Sequence, residues 1–351
     1  MAPFLHKPEL ADRSAAIDKN GFHRGAFFYR SIREDTMVKY ILKRILYIIP
    51  TLILTSILAF GFVRLIPGDP AQTMLGELAS EEQLEVYREK MGLNQSIFQQ
   101  YWLFISNAVK GDLGTSIAYS KPVLGLIGER LETTLFLGLI ASALILIIAL
   151  PVGIIAAAKV NSVTDQAVTV TAMFAASVPA FWLGLMLMMW FAVDLKWFPT
   201  SGFPSVFQSG DWSNLRYLVL PAFTVAIPNT ALIIRMTRSS MLDVVKEDFV
   251  RTARAKGLSL PVVYIKHVFR NSLNSIISSF GFILAALISG SVITENIYAL
   301  PGVGNFLISS INMRDYPAIQ GTILVIALIF MTINLLVDLT YALIDPRVRY
   351  T

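Results

Sequence analysis

The residues best placed to do work in this chain form one charged, glycine-broken stretch, Glu247-Asp-Phe-Val-Arg-Thr-Ala-Arg-Ala-Lys-Gly257-Leu-Ser-Leu-Pro261, between two long apolar runs. Its chemistry is that of docking rather than bond-making. Basic side chains around a sharp turn offer a surface on which another protein can push. Residues 240–256 read as one helix, with Asp243 and Glu247 early and Arg251, Arg254 and Lys256 late, the order a helix dipole favours. Gly257 supplies the left-handed residue that ends it. Ser259 is positioned to cap a following helix, and Pro261 fits that helix's first turn. The expected product is two helices joined at an elbow. The plainer reading is a basic loop obeying positive-inside bias, but orientation needs only a few basic residues, so the length and bend favour docking.

Bond-making chemistry finds no support. The chain has no cysteine, which excludes disulfides, thiolate catalysis and cysteine-zinc sites. Its histidines, His6, His23 and His267, are too scattered for a metal site. HExxH, GxSxG and GxxxxGK[ST] are all absent, so an intramembrane enzyme or an ATPase is not expected. No residue is assigned as catalytic or metal-binding, and no cofactor is expected on this chain.

Composition sets the class. Apolar residues make up 55% of the 351, and charged residues 15%. The mean hydropathy is +0.61, and soluble chains carry about 25% charged residues. A hydrocarbon core about 30 Å thick needs roughly 20 apolar residues per helix. Six stretches qualify, at 45–66, 135–158, 167–193, 218–234, 276–293 and 319–344. The fourth is the weakest, because Pro221 and Pro228 interrupt it.

Lysine and arginine set the orientation. With the N-terminus inside, internal segments hold Lys39, Lys43, Arg44, Lys159, Arg347, Arg349 and the dense cluster between Arg235 and Arg270. External segments hold a scattered few, such as Arg88, Lys110, Lys196 and Arg314. Both termini are therefore expected in the cytoplasm. The same asymmetry accounts for the net charge of +5 without nucleic acid. Residues 1–36 are polar and aperiodic, which reads as a disordered tail. Met37, followed by Lys39, Lys43 and a span, is itself a plausible start, so the tail is either a dispensable extension or not translated. The first span lies too far in and is too long for a cleaved signal.

The outer loop at 67–130 is expected to form a small helical cap. Ser80 caps an acid-first helix that Gly92 closes, apolar residues at 98–109 recur at helical spacing, and Gly111-Asp-Leu-Gly114 marks a turn.

Ionisable groups inside spans are candidate functional sites. Asp338 lies well inside the last span, where it either lines a pathway or bonds a neighbouring helix. Arg64, near the outer end of the first span, is expected to snorkel to the interface. Ser289, Ser291, Thr294 and Glu295 put small and polar groups at the outer half of the fifth span. Helix packing explains them, and a pore-facing strip for a polar solute is the alternative.

Arg251-Thr-Ala-Arg-Ala-Lys-Gly257-Leu resembles the EAA loop of ABC importer permeases, in the variant of the peptide/nickel/opine branch. Pro67-Gly-Asp-Pro70, Gly111-Asp-Leu-Gly-Thr-Ser116, Val178-Pro-Ala-Phe-Trp-Leu-Gly184, Leu300-Pro-Gly-Val-Gly304, Arg314-Asp-Tyr-Pro317 and Leu343-Ile-Asp-Pro-Arg347 are similar to that branch and stand in its order. Each is weak alone, but the ordered set is specific. One departure follows Phe269-Arg-Asn-Ser272, where Leu273-Asn-Ser275 replaces the family's Leu-Pro-like step into the fifth span.

The resemblance implies an all-α membrane protein with six transmembrane helices and the type I ABC importer permease fold. It implies a first helix with its loop over 37–130, a permease core over 131–345 and a cytoplasmic tail over 346–351. It also implies a second, homologous permease subunit, two cytoplasmic ATPase subunits that use ATP and magnesium, and an external solute-binding protein, all in a bacterial inner membrane. Arg251, Ala253, Arg254, Ala255, Lys256, Gly257 and Leu258 would form the coupling helix and its exit. Asp338, Ser289, Ser291 and Glu295 stay as pathway candidates. Di- or oligopeptides are the expected cargo, with nickel chelates, opines or glutathione as alternatives. An ion-gradient transporter is disfavoured, because no inverted repeat is visible and it leaves the basic loop without a role.

Overall fold

The computed structural model describes the backbone over residues 24–65, 70–76, 79–90 and 92–344. Most of Pro67-Gly-Asp-Pro70, the end of Leu343-Ile-Asp-Pro-Arg347, the tail 346–351, residues 1–23 and the Ser289 side chain lie outside the described residues.

Every regular element among the described residues is a helix, and no strand is present among them. Helix α1, Arg24–Leu65, begins upstream of residue 37, inside the segment that composition alone assigns to a tail. No proline stands between Arg24 and the span, so nothing interrupts propagation of the helix. The outer loop follows as α2, Pro70–Leu75, α3, Glu81–Lys90, and α4, Ile97–Val109. Ser80 caps α3 reciprocally with Gln83, and Ser96 forms a capping box with Gln99 at the start of α4.

The second span is α5, Val123–Ala158. The third, expected as one rod, is two helices, α6, Val163–Ser177, and α7, Ala180–Leu187, the latter continued by a π-turn over Met188–Asp194. The pair is bent by 96°. Pro179 is the reason: it has no N–H to donate, and its ring pushes Val178 out of the helical region to ψ 124.

After the short α8, Val206–Ser209, and a 3₁₀ turn over Trp212–Leu218 comes α9, Val219–Val244. The proline-bearing fourth span, the weakest in the sequence, is the centre of the molecule. Of its most apolar stretch 61% is buried, against 11% for the last span. Pro221 falls in the first turn of α9, where a missing N–H costs nothing, and Pro228 interrupts one bond of a helix clamped on all sides. Helix α9 packs on α5, α6 and α7, and on α12, Arg270–Ile297. Alanines at 141, 149, 222 and 226, all fully buried, let α5 and α9 approach closely.

Between α9 and α12 lie α10, Asp248–Ala255, the short α11, Leu260–Val262, and a π-turn over Val263–Phe269. The chain closes with α13, Val303–Asn312, and α14, Tyr316–Ile344. Among the described residues, four helical segments are long and apolar enough to cross a membrane, and the bent pair α6–α7 makes a fifth. Helix α12 occupies the place of the expected fifth span. It follows the π-turn without a break in the chain of helical residues, and Leu273-Asn-Ser275 falls inside it.

Candidate functional site

The elbow differs from its sequence reading in two respects, the first in the helix that leads into it. Residues 240–256 are not one helix: α9 ends at Val244, Glu247 is extended at ψ 147, and α10 starts afresh. The break turns the chain so that the apolar side of α10 faces the molecule. Val250 and Ala253 are buried and join Ala157, Met241, Val263 and Val268 in a separate small core. That core fastens α10 to the ends of α5 and α9 and to the π-turn before α12.

The opposite side of α10 is open. Arg251, Arg254, Ala255, Lys256 and Leu258 are exposed, as are Phe249 and Thr252. Ala253 is the one coupling candidate that points inward. The Arg251–Asp248 pair, 3.8 Å apart and exposed on both sides, adds little. The helix ends in a Schellman arrangement: Gly257 N–H donates to the Arg254 carbonyl at 2.9 Å, and Leu258 N–H to that of Ala253 at 3.4 Å. Gly257 has φ +78, the left-handed region that glycine enters without strain. Ser259 occupies the N-cap position of α11, but its hydroxyl makes no capping bond.

Nearly two turns before its end at Val244, α9 is tied to α6. Arg238 grips Asp165 in a bidentate pair, Nε to Oδ1 at 2.6 Å and Nη2 to Oδ2 at 2.7 Å. Asp165 is buried and also accepts from Asn161 N–H at 2.9 Å. Neither partner stands out in the sequence, since an acid in a first turn and an arginine near a span end are both commonplace.

The other polar clusters stand at the opposite ends of the helices. Glu295, fully buried, accepts from Thr134 Oγ1 at 2.8 Å, Ser291 Oγ at 3.2 Å and Asn305 N–H at 3.0 Å. Thr134 Oγ1 in turn accepts from Val303 N–H at 2.9 Å. The Leu300-Pro-Gly-Val-Gly304 turn wraps this carboxylate so tightly that a Cβ on Gly302 would overlap it. Two of the pathway candidates, Ser291 and Glu295, are thus brought together and bonded inside the chain.

Gly111-Asp-Leu-Gly-Thr-Ser116 and Arg314-Asp-Tyr-Pro317 form a second joint. Asp315, fully buried, accepts from Ser116 Oγ at 2.5 Å, from Ile117 and Ala118 N–H at 3.1 Å each, and from Ala318 N–H at 3.2 Å. Glu132 makes a third, accepting from Ser205 Oγ at 2.5 Å and from the Val206 and Phe207 N–H groups at 2.7 and 3.0 Å. Tyr298 supplies a fourth: its hydroxyl donates to the Gly184 carbonyl at 2.9 Å and meets Thr224 Oγ1 at 3.1 Å, pinning α7 to α9.

Asp338 stands apart from these clusters. It pairs with Arg44 of α1 at 2.8 Å, and a cavity of about 210 Å³ opens beside the pair. Arg64, expected at the interface, is exposed at the outer end of α1. It folds back over the Phe60 ring, 3.6 Å from its centroid, and bonds the Phe60 carbonyl and Gln100. Side chains on a helix lean towards its N-terminus, and for α1 that direction is inward.

A family described as "Binding-protein-dependent transport system inner membrane component" matches residues 149–350, and the corresponding N-terminal family matches residues 37–138. The glutathione transport system permease protein GsiC of Escherichia coli K12 is 40% identical over 314 residues, covering 90% of this chain and all of that protein. The dipeptide transport system permease protein DppB of Alkalihalophilus pseudofirmus is 39% identical over 333 residues, again 90% of this chain and all of that one. Among solved structures, an inward-facing MetNI methionine ABC transporter aligns with a TM-score of 0.52 at 16% identity, over 63% of this chain and 96% of that one.

Proposed function

The chain belongs to the family of inner membrane components of binding-protein-dependent transport systems, and on that premise we propose that it is the translocating subunit of an ATP-driven importer of short peptides. The observation that carries the reading is α10, whose inner side is anchored by Val250 and Ala253 and whose outer side is left open and basic. A helix so held transmits a push instead of rotating under it. Two cytoplasmic ATPase subunits, which use ATP and magnesium, supply that push, and a second permease of the same kind completes the pathway. An external solute-binding protein delivers the cargo.

Force entering at α10 has two routes. One passes through the small apolar core into α5, α9 and the start of α12. The other crosses the Arg238–Asp165 clasp into α6. Such a push shifts the balance between two packings of the spans only by favouring one of them. The joints at Glu295 and Asp315 hold helix ends rigid while that shift occurs. On this reading Ser291 and Glu295 brace the outer ends of the spans, and Asp338 fastens α14 to α1.

For cargo, dipeptides and glutathione share one chemistry, a short peptide with an ammonium at one end and a carboxylate at the other, and the two relatives described above carry these two names. Reconstitution with its partner subunits and receptor, followed by uptake of labelled dipeptide and labelled glutathione with and without ATP, tests the proposal. ATP-dependent uptake of either supports it. Uptake driven by an ion gradient without ATP overturns it.

A further inference from the structure

Helix α4 has an unusual combination of properties. Its thirteen residues, Ile-Phe-Gln-Gln-Tyr-Trp-Leu-Phe-Ile-Ser-Asn-Ala-Val, include no charge, yet none of them is buried. An apolar run of this length is too short to span a bilayer, and its usual homes are a protein core or the membrane interface. The structure rules out the first for this chain.

One side of α4 lies on α1. Tyr101 hydroxyl bonds Ser56 Oγ at 2.8 Å, the Tyr101 ring meets Phe60 edge-on while Phe104 stacks on it, and Gln100 meets Arg64. The other side presents Phe98, Trp102 and Val109, exposed at 86%, 72% and 83% and aligned at helical spacing. Depth decides what covers them. Ser56 lies nine residues before the end of α1 at Leu65, or about 13 Å down the helix axis at 1.5 Å per residue. A helix held between Arg64 at the rim and Ser56 below it lies at the level of the outer leaflet. Its exposed stripe also runs on from the outward-facing side of α1, where Ile57, Phe62 and Leu65 are exposed.

We propose that α4 is embedded in the outer leaflet, with the Phe98–Trp102–Val109 stripe facing lipid acyl chains, so that the outer loop is moored in the bilayer instead of forming a wholly aqueous cap. Lys90 before the helix and Lys110 and Asp112 after it mark where the chain returns to water. Trp102 suits the boundary, where its ring is half apolar and half wet.

The chain has no native cysteine, so single cysteines can be placed without background. Phe98→Cys, Trp102→Cys and Val109→Cys, with Gln83→Cys on polar α3 as the aqueous control, are labelled with an environment-sensitive fluorophore. The full transport assembly is then reconstituted in phosphatidylethanolamine–phosphatidylglycerol vesicles. The expected result is that lipid-borne nitroxide quenches 98, 102 and 109 several-fold more than aqueous iodide does, with the reverse at 83. Iodide quenching at all four positions overturns the proposal in favour of an aqueous cap. Protection from both quenchers overturns it in favour of a protein partner on the stripe. If a cysteine variant does not assemble, Trp102→Phe settles the point: brominated lipid should quench less of the tryptophan emission than in the parent, and an unchanged quenched fraction overturns the proposal.

Discussion

Asp165 and Arg238, more than seventy positions apart in the chain, meet in a two-pronged pair on the α9 segment that leads into the elbow. A bidentate guanidinium grip fixes angle as well as distance, so α6 and α9 turn together at this end. Replacing Arg238 by Ala leaves a buried carboxylate without its cation, at a cost of about 3 kcal/mol, the low end for such losses because Arg238 is partly solvated. A fall in the thermal midpoint of the purified assembly, with uptake reduced further than assembly, is the expected outcome. Arg238→Lys should recover little of either, since an ammonium cannot reproduce the fork.

Gly257 tests the elbow itself. No atom lies within 4 Å of the place a Cβ would take there, so only backbone strain opposes substitution. Gly257→Asn should be tolerated, Gly257→Ala should cost about 1 kcal/mol, and Gly257→Val should cost more. Uptake rates ranked Asn, Ala, Val would match this, and a flat series would show that the left-handed turn is dispensable.

Gly302 obeys a different constraint. Its φ is ordinary, but a Cβ would press on the Glu295 carboxylate, which three donors hold in place. Gly302→Ala is expected to destabilise by about 1–3 kcal/mol, as overpacking does. Comparing its unfolding midpoint with that of Gly257→Ala separates steric from conformational cost.

Asp315→Asn turns one carboxylate oxygen into a donor facing donors. Loss of satisfied partners for Ser116 and the Ile117 and Ala118 N–H groups should cost about 1–3 kcal/mol and loosen the 111–118 segment. Limited proteolysis of the outer loop reads this directly, with faster cleavage in the variant.

Arg44 and Asp338 can be exchanged. Either single reversal, Arg44→Asp or Asp338→Arg, should weaken the seam between α1 and α14, and the double reversal should restore part of the thermal midpoint. Absence of recovery would leave Asp338 free for a pathway role.

Much of this architecture was legible in the residues, and the reasons are local. Apolar runs of span length announce themselves, and a capping serine or a helix-ending glycine acts within one turn, as Ser80 and Gly257 do. What stayed hidden is long-range partnership. Glu295 and Asp315 both sat in stretches that drew notice, but their partners Thr134 and Ser116 lie 161 and 199 positions away, and no spacing rule reports such a match. Pro179 was visible, though its local effect on Val178 does not disclose a bend of 96°. The central place of α9 was masked by its prolines, which weaken a hydropathy signal but are tolerated where neighbouring helices close in.

The corner at Pro179 gives α6 and α7 the geometry of a bell crank. One arm is gripped by Arg238 near the elbow, and the other is pinned by the Tyr298 hydroxyl on the carbonyl of Gly184. On the proposed reading, a thrust along the first arm leaves the second as a sideways swing, delivered beside the turn that encloses Glu295.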